Sequence, residues 1–419
     1  MKKSTPTYNK IQKAFKYRIY PTEKQKNEIE NMFGCSRYVY NHYLEKRKNT
    51  YEILKETLNY TKCSKDLTEL KKEHEWLQKP DKFALQNSLR DLETAYANFF
   101  RRIKNSKNTE PGYPKFKSKH DNHQSYRTNY TNNNIEIKNG KIKLPKIGWI
   151  KFKEDRILDG KILNATVSRT PTGKYFVSIC CKDCLVKQRS SGGGIIGVDL
   201  GLKDYIITSE GETVDNPRYY RKIEKRLVRE QRKLSRKEIG SNNRNKQRLK
   251  VARVHEKISD CRKDHLHKLS SRLVNENQVI CFEDLNVDGL KRNKKLSKNV
   301  SDAGWSEFVR MVEYKSDWYG GVVQRVGRFY SSSQLCSVCG FKNPLVRNLK
   351  VREWECPECK SFHNRDFNAS VNIRNEGLRI LGLNTVGMTG IYACGDCVRP
   401  IEFNRLRSAK QETYDFSRG

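Results

Sequence analysis

The sequence is short of apolar runs. None of its apolar segments is long enough to span a bilayer, and its mean hydropathy is −0.87. Near Met1 it also lacks the charged, apolar and small-residue pattern of a secretory signal peptide. We therefore expect no membrane partner and a cytosolic or nuclear location. In such reducing compartments, the 13 cysteines more often bind metal than form disulfides.

Acidic residues are also scarce. The 48 Asp and Glu are outnumbered by 84 Lys and Arg, which gives a formal net charge of +36. A field of this size attracts polyanions and releases their counterions on contact. Nucleic acid is therefore the expected partner, with a ribosome-like structural role and an anionic membrane surface as alternatives. At 419 residues the chain is long enough for more than one domain.

Several nucleotide-binding and catalytic signatures are missing, including a Walker loop, a dinucleotide fingerprint and the spacing of a nucleophilic triad. The sequence does contain two Cys-x-x-Cys pairs separated by sixteen residues, namely Cys336/Cys339 and Cys356/Cys359. Each pair can bring two thiolates to one ion, so together they predict a closed, tetrahedral zinc site with a structural role. Four unligated core cysteines are the alternative.

Two further Cys-x-x-Cys pairs, Cys181/Cys184 and Cys394/Cys397, have no partner pair nearby in the sequence. We expect both pairs to be incidental. In principle, the two together could also form a second metal site.

Three separated carboxylates suggest one catalytic site. Asp199 ends one apolar segment, Glu283 and Asp284 end another, and Asp366 follows Cys359 by seven residues. Each acid alone would more often be structural, as a turn cap, an ion-pair partner or a helix N-terminal residue. Together, at the ends of neighbouring strands and on an adjacent helix, they could converge on Mg²⁺ or Mn²⁺, because clustered carboxylates need cations.

Such a cluster predicts metal-dependent hydrolysis of phosphodiesters, in which two ions activate a water and stabilise the leaving oxygen. The second acid is either Glu283 or Asp284. Consecutive residues of a strand point to opposite faces of its sheet, so only one of the two can join the cluster.

Hydrophobic periodicity predicts two kinds of structure in the first half of the chain. An alternating strand around Tyr17 ends at Pro21, and a helical pattern follows from Thr22 to about Lys107. The period then becomes two, with hairpin turns at Asn139-Gly140 and near Gly173. We expect a small β-barrel over 1–21 and 108–190, with a helical insertion at 22–107.

The second half begins after a Ser/Gly-rich joint at 190–194. Strands and helices then alternate in an order that fits an α/β core of the ribonuclease H type. We expect this core over 191–330 and 363–393, with a zinc ribbon inserted at 331–362 and a loosely ordered tail at 394–419. The expected fold class is therefore multidomain α+β.

A strongly basic helical segment lies inside this predicted core. Residues 218–257 contain sixteen Lys or Arg and four Glu, together with an apolar stripe of helical period. A solvated helix face and a phosphate-binding surface explain this composition equally well.

Short motifs occur along nearly the whole chain. They are KYRIYPT at 16–22, FGCSRYVYN at 33–41, YPKFK at 113–117, GVDLG at 197–201, FEDL at 282–285, the cysteine pairs, RDFNA at 365–369 and ACGD at 393–396. In this combination the chain resembles the TnpB family. These are RNA-guided nucleases of insertion sequences, related to compact type V CRISPR effectors.

The resemblance implies a wedge-type β-barrel, a helical recognition lobe and a RuvC-like nuclease that carries a zinc finger. It implies that Asp199, Glu283 and Asp366 are the catalytic, magnesium-binding acids, which favours Glu283 over Asp284. The implied partners are a guide RNA made from the transposon end and a double-stranded DNA target, in the cytoplasm of a bacterial or archaeal cell. The barrel and helical lobe would read a short motif that flanks the target.

Two other functions fit the same residues. Carboxylates of ribonuclease H type also serve transposases that join strands, and a nuclease-inactive, RNA-guided regulator would keep the acids as structural residues. All three acids are present here, which favours an RNA-guided DNA endonuclease.

Overall fold

The computed structural model describes residues 8–105, 112–121, 123–188 and 193–382. The Cys394/Cys397 pair, the ACGD motif and the predicted tail lie outside the described residues. The chain divides into two compact units, one of Lys10–Leu185 and one that combines Met1–Asn9 with Val186–Gly419. This division lies close to the predicted joint.

The N-terminal unit contains a strand, three helices and six further strands. In chain order they are β1 (Tyr8–Tyr20), α1 (Glu23–Leu54), α2 (Tyr60–Glu73), α3 (Lys82–Asn105), β2 (Gln124–Asn129), β3 (Glu136–Lys138), β4 (Lys141–Leu144), β5 (Gly148–Phe152), β6 (Lys161–Arg169) and β7 (Tyr175–Lys187). A capping box opens α1, because Gln25 N donates to Thr22 Oγ1 at 3.4 Å and Thr22 N donates to Gln25 Oε1 at 3.1 Å.

The strands of this unit form one sheet in the order β2-β6-β7-β1-β5-β4-β3. The N-terminal strand therefore lies inside the sheet, and the three helices lie between β1 and β2 in the chain. Asn139 and Gly140 both have positive φ, 50° and 66°, which is the hairpin turn expected of an Asn-Gly pair. Because β2 and β3 are the two edges of this sheet, closure into a barrel stays a prediction.

The C-terminal unit begins with an α/β arrangement. Its elements are β8 (Gly194–Leu200), β9 (Asp204–Thr208), β10 (Thr213–Asp215), α4 (Tyr219–Ser235), α5 (Asn242–Glu276), β11 (Asn277–Glu283), α6 (Val287–Arg292), α7 (Ser297–Ala303), α8 (Trp305–Tyr319), β12 (Val322–Val326), β13 (Glu353–Glu355), β14 (Phe362–Asn364) and α9 (Arg365–Ile380). Two short helices, α6 and α7, lie between β11 and α8. Asn286 starts α6 there, because its side chain accepts a hydrogen bond from Gly289 N at 3.0 Å.

A five-stranded sheet forms the centre of this unit, in the order β10-β9-β8-β11-β12. β11 pairs in parallel with both β8 and β12, and β9 pairs antiparallel with β8 and β10. On one face, Ile280 and Phe282 pack in a core with residues of α5 and α8. On the other, Val279 and Cys281 pack against Ile373 of α9. The apolar centre of β11 is thus buried on both faces, as parallel strands usually are.

No helix within the described ranges combines the length and the apolar composition that crossing a bilayer requires.

Candidate functional site

Strand alternation brings Asp199 and Glu283 to the same face of the five-stranded sheet. Cys281 faces α9, so Glu283, two residues later, faces it as well. Phe282 pairs with Val198 in the parallel register of β11 and β8, so Glu283 and Asp199 follow as neighbours about 4.8 Å apart across the strands. Both acids lie at the carboxyl ends of their strands and are partly exposed.

Asp366 reaches the same place from α9. A Cβ atom on Gly197 would overlap Ser370 O and lie 2.6 Å from Arg374 N, so α9 rests directly on β8 at this glycine. Asp366 lies four residues before Ser370, about 6 Å along the helix, and Asp199 lies two residues after Gly197, about 6.6 Å along the strand. The first turn of α9 is therefore next to the end of β8.

The charges of the other two acids act on Asp199. Burial, together with the negative charges of Glu283 and Asp366, raises the pKa of Asp199 to about 7, while a hydrogen bond from the Leu200 backbone and the charge of Arg365 oppose the shift. Burial also raises the pKa of Glu283, against a hydrogen bond from Ser332. An acid that resists ionisation beside two others is the arrangement that a bound cation stabilises.

The structure distinguishes Glu283 from Asp284 by what each one contacts. Asp284 points to the other face of the sheet, where Arg328 Nη2 lies 2.9 Å and Arg325 Nη1 lies 3.5 Å from its carboxylate. It is thus neutralised by two arginines, whereas Glu283 faces Asp199. Sequence periodicity had left this choice open.

Arg352, on the cysteine-bearing segment, also reaches this site, although no sequence pattern predicted it. Its Nη1 donates to Asp366 Oδ2 at 2.8 Å, and its side chain is 54% exposed. A single arginine among 84 basic residues carries no local signal, so no pattern in the sequence could have selected it.

The four predicted cysteines converge. One sulfur atom from each of Cys336, Cys339, Cys356 and Cys359 lies within 4.8 Å of the other three, and two of the Sγ–Sγ distances are 3.6 Å. Tetrahedral zinc with Zn–S bonds of about 2.3 Å requires sulfurs about 3.8 Å apart. Among the described residues, this is the one group of three or more potential metal ligands whose atoms all lie within 4.8 Å of one another. The carboxylates of Asp199, Glu283 and Asp366 are therefore further apart than the four sulfurs.

The two cysteine pairs have the same backbone structure. Cys336 N donates to Phe341 O and Gly340 N to Cys336 O, and the second pair repeats both bonds at equivalent positions, each at 2.9 Å. Gly340 and Lys360 occupy equivalent left-handed positions, with φ of 77° and 62°. The two turns therefore place the four sulfur atoms around one point.

The pair Cys181/Cys184, expected to be incidental, is buried in the core of the N-terminal unit. Cys184 Sγ lies 3.1 Å from Asp159 O, and burial raises the pKa of Cys181 to about 12. A thiol that stays protonated is a poor metal ligand.

Comparisons with known proteins identify the family. Three family models match the chain, described as "Probable transposase" over 178–294, "Cas12f1-like, TNB domain" over 305–373 and "Helix-turn-helix domain" over 9–55. A Streptomyces pristinaespiralis protein named "Putative RNA-guided DNA endonuclease" is 40% identical over 395 residues, which are 93% of this chain and 92% of the relative. The chain belongs to the TnpB family.

A second TnpB relative, Escherichia coli "Putative RNA-guided DNA endonuclease InsQ", is 31% identical over 92% of this chain and 94% of its own length. The structure titled "Cryo-EM structure of the Cas12f1-sgRNA-target DNA complex" matches with a TM-score of 0.58 and 14% identity, over 87% of this chain and 99% of that one. At this identity the match shows the fold alone, so this TnpB chain has a Cas12f1-like, mixed α/β fold. The segment 9–55, which matches the model described as a helix-turn-helix, consists in this chain of β1 followed by the single helix α1.

Proposed function

We propose that this chain is an RNA-guided DNA endonuclease that cuts double-stranded DNA by divalent-metal-dependent hydrolysis. The observation that carries the proposal is the convergence of Asp199, Glu283 and Asp366 from β8, β11 and α9. The relatives from Streptomyces pristinaespiralis and Escherichia coli are named for this activity, and the chain matches each of them over almost its whole length.

The proposed catalytic core is of the ribonuclease H (RuvC) type and comprises 191–330 and 363–393. The strand order β10-β9-β8-β11-β12, with parallel β8, β11 and β12, supports this assignment, because it brings strand ends and a helix N-terminus to one edge. We assign 331–362 as a zinc ribbon, 1–21 with 108–190 as a wedge-type barrel, and 22–107 as the recognition lobe.

Asp199, Glu283 and Asp366 would hold Mg²⁺ or Mn²⁺. Once bound, such ions activate a water and stabilise the leaving oxygen of the phosphodiester. The residues around them have separate tasks. Ser332 orients Glu283 by a hydrogen bond, and buried Arg365 favours the ionised form of Asp199.

Arg352 supplies a second positive group beside this cluster. Its guanidinium pairs with Asp366 through one nitrogen, and about half of its side chain remains exposed. A planar guanidinium can hold phosphate oxygens in a defined orientation. We therefore propose that Arg352 binds the phosphate of the bond that is cut.

The four cysteines would bind one structural Zn²⁺. All four coordination positions are then filled by sulfur, which leaves no position for a reactive water. The role of this ion is to fix the segment that carries Arg352 relative to α9.

The expected partners are a guide RNA from the transposon end and a DNA target, both in the cytoplasm. A net charge of +36 can neutralise the phosphates of both strands of a guide–target duplex. Base pairing then supplies the sequence information, and protein contacts to a flanking motif license unwinding.

The test is plasmid cleavage by the purified complex, after sequencing of the RNA that copurifies with the protein. Asp199→Ala should bind the guided target as the wild type does but leave the plasmid intact. Asp288→Ala, an exposed acid on α6, is the matched control and should cut normally. Cleavage by Asp199→Ala would refute the assigned site.

The same reaction distinguishes the alternatives. Strand-transfer products between donor and target DNA would indicate a transposase. A complex that binds guided DNA but cuts none, with Mg²⁺ and a flanking motif supplied, would indicate a regulator.

A further inference from the structure

A pocket of about 300 Å³ lies within the N-terminal unit, remote in sequence from the proposed nuclease site. Its walls come from α1, α3, β2 and the adjoining segments 117–121 and 123–125. This volume lies at the lower end of the range for small-molecule sites. The lining is mostly polar.

The floor of the pocket is buried and has unused hydrogen-bonding capacity. Ser36 is 6% exposed, and its hydroxyl has no hydrogen-bond partner among the described residues. Asn87 is 3% exposed and donates through Nδ2 to Arg127 O and Asn129 Oδ1, which leaves its own oxygen as an acceptor. Buried polar groups without partners are uncommon in folded proteins and point to a bound polar molecule.

Two cations line the pocket without an ion pair. Arg37 donates one hydrogen bond, from Nη1 to Gln124 Oε1 at 3.2 Å. Lys117 Nζ lies 4.1 Å from the ring centroid of Tyr40, and Asn41 holds the backbone of this lysine through bonds of 2.8 and 2.9 Å. Within the described ranges, neither cation has a carboxylate oxygen at 4.0 Å or less. Burial lowers the pKa of Lys117, and the more distant charges of Asp91 and Asp121 oppose that shift. Without a direct ion pair, both cations can still bind an anion.

Two carboxylates line the same pocket, and each has one oxygen that accepts no hydrogen bond from the described residues. Asp91 Oδ1 accepts from Arg127 at 3.0 Å, and Asp121 Oδ2 accepts from Ser118 N at 3.0 Å. The second oxygen of each accepts no hydrogen bond from the part of the chain that the structure describes. These oxygens can accept N–H groups but would repel a simple anion.

The pocket therefore matches a ligand that carries both an anionic group and N–H donors. We propose that it binds one unpaired nucleotide of a nucleic-acid strand, with the phosphate at Arg37 and Lys117 and the base amino group at Asp91 and Asp121. This inference rests on the proposed function, because that function brings single-stranded nucleic acid to the protein.

The carboxylates also set a base preference. Adenine, guanine and cytosine carry an exocyclic amino group, whereas uracil and thymine present carbonyl oxygens in its place. Two carboxylates favour the first three bases and disfavour the others.

The test is calorimetric titration of the full chain, purified free of nucleic acid. The probes are AMP, GMP, CMP and UMP, their 2′-deoxy forms, ribose 5-phosphate and inorganic phosphate. We expect saturable binding of one amino-bearing nucleotide per chain, with UMP, ribose 5-phosphate and phosphate weaker. A preference for the ribose or the deoxyribose form identifies the source as RNA or DNA.

Matched variants locate the binding. Lys117→Gln or Arg37→Gln should weaken it by about tenfold or more, the value of a charge-assisted hydrogen bond. Lys115→Gln and Arg90→Gln remove the same charge from neighbouring exposed positions outside the lining and should bind as the wild type does. Lys117 is itself exposed, so its substitution leaves the fold intact.

Three results would overturn the proposal: no saturable binding up to about 10 mM nucleotide, phosphate binding as tightly as the nucleotide, or equal losses in Lys115→Gln and Lys117→Gln. Plasmid cleavage is scored separately. A chain that binds nucleotide but never cuts refutes the proposed nuclease function alone, and a chain that cuts but binds no nucleotide refutes the pocket alone.

Discussion

Gly197 of β8 lies directly beneath Ser370 of α9, with no room for a side chain between strand and helix. Gly377 makes the same kind of approach further along α9, where a Cβ would lie 2.9 Å from Cys281 Cβ. These two glycines let the helix rest on the backbone of the sheet. The position of Asp366 beside Asp199 depends on that close packing.

Gly197→Ala should therefore push α9 away from β8. We expect a loss of about 1–3 kcal/mol in the free energy of unfolding, as in other overpacked cores, together with loss of cleavage. Chemical denaturation and the plasmid assay measure the two effects. Gly327→Ala, where an added Cβ would meet no atom within 4 Å, is the control and should retain both. Full cleavage by Gly197→Ala would contradict the packing argument.

Removal of one cysteine should empty the zinc site. Cys336→Ser replaces a thiolate by a hydroxyl, which is a poor zinc ligand, so the zinc content should fall well below one ion per chain. Elemental analysis of the purified protein measures this content. Cys184→Ser, in a buried pair that we exclude from metal binding, should keep the wild-type amount. Unchanged zinc in Cys336→Ser would refute the assignment.

At the left-handed position of the two cysteine turns, the second turn has Lys360 where the first has Gly340. Lys360 has φ of 62°, and such a conformation strains a residue that carries a Cβ. Lys360→Gly should raise the thermal stability of the zinc-loaded segment, by up to about 1 kcal/mol. Gly340→Lys makes the reverse change and should lower it. Equal stability of the two variants would contradict this explanation.

Arg352 pairs with Asp366 and would therefore compete with a cation bound by this carboxylate. Arg352→Gln should lower the Mg²⁺ concentration needed for half-maximal cleavage, by up to about fivefold, because the exposed ion pair is worth no more than about 1 kcal/mol. The maximal rate should fall as well, since the phosphate loses its guanidinium. Arg347→Gln on the same segment is the control. A higher Mg²⁺ requirement in Arg352→Gln would show that the arginine supports metal binding instead.

The burial of Lys315 predicts that the free energy of unfolding depends on pH. It is 7% exposed, and its ammonium donates to His267 O, Ser270 Oγ and Ser271 Oγ at 2.7–2.9 Å. No carboxylate lies within ion-pair distance of it in the described part of the chain. Burial lowers the pKa of Lys315 to about 8 from its ordinary value of 10.5.

The unfolded chain therefore binds more protons than the folded chain between pH 8 and 10.5. The free energy of unfolding should rise with pH across this window, by about 1.4 kcal/mol per unit at most. Denaturation of the wild type and of Lys315→Met at several pH values isolates this contribution as the difference between their slopes. Parallel slopes would mean that burial does not lower the pKa of Lys315 in the folded chain.

Local patterns in the sequence were sufficient for the elements that depend on neighbouring residues. The start of the helical pattern at Thr22 and the Asn139-Gly140 turn each predicted a boundary that the structure has. The cysteine spacing predicted the four-sulfur cluster, because each Cys-x-x-Cys turn is itself a local structure.

Contacts between distant segments decided which side chains meet at the candidate site and in the pocket. Strand alternation establishes that Glu283 and Asp284 face opposite ways, but the glycine beneath α9 determines which of these faces receives the helix. Likewise, Arg352 meets Asp366, and Arg37 shares a pocket with Asp121, only after strands and helices have packed. The sequence by itself determined the local elements and the ligand types, whereas tertiary packing alone decided which charges meet, since packing brings together residues that share no local pattern.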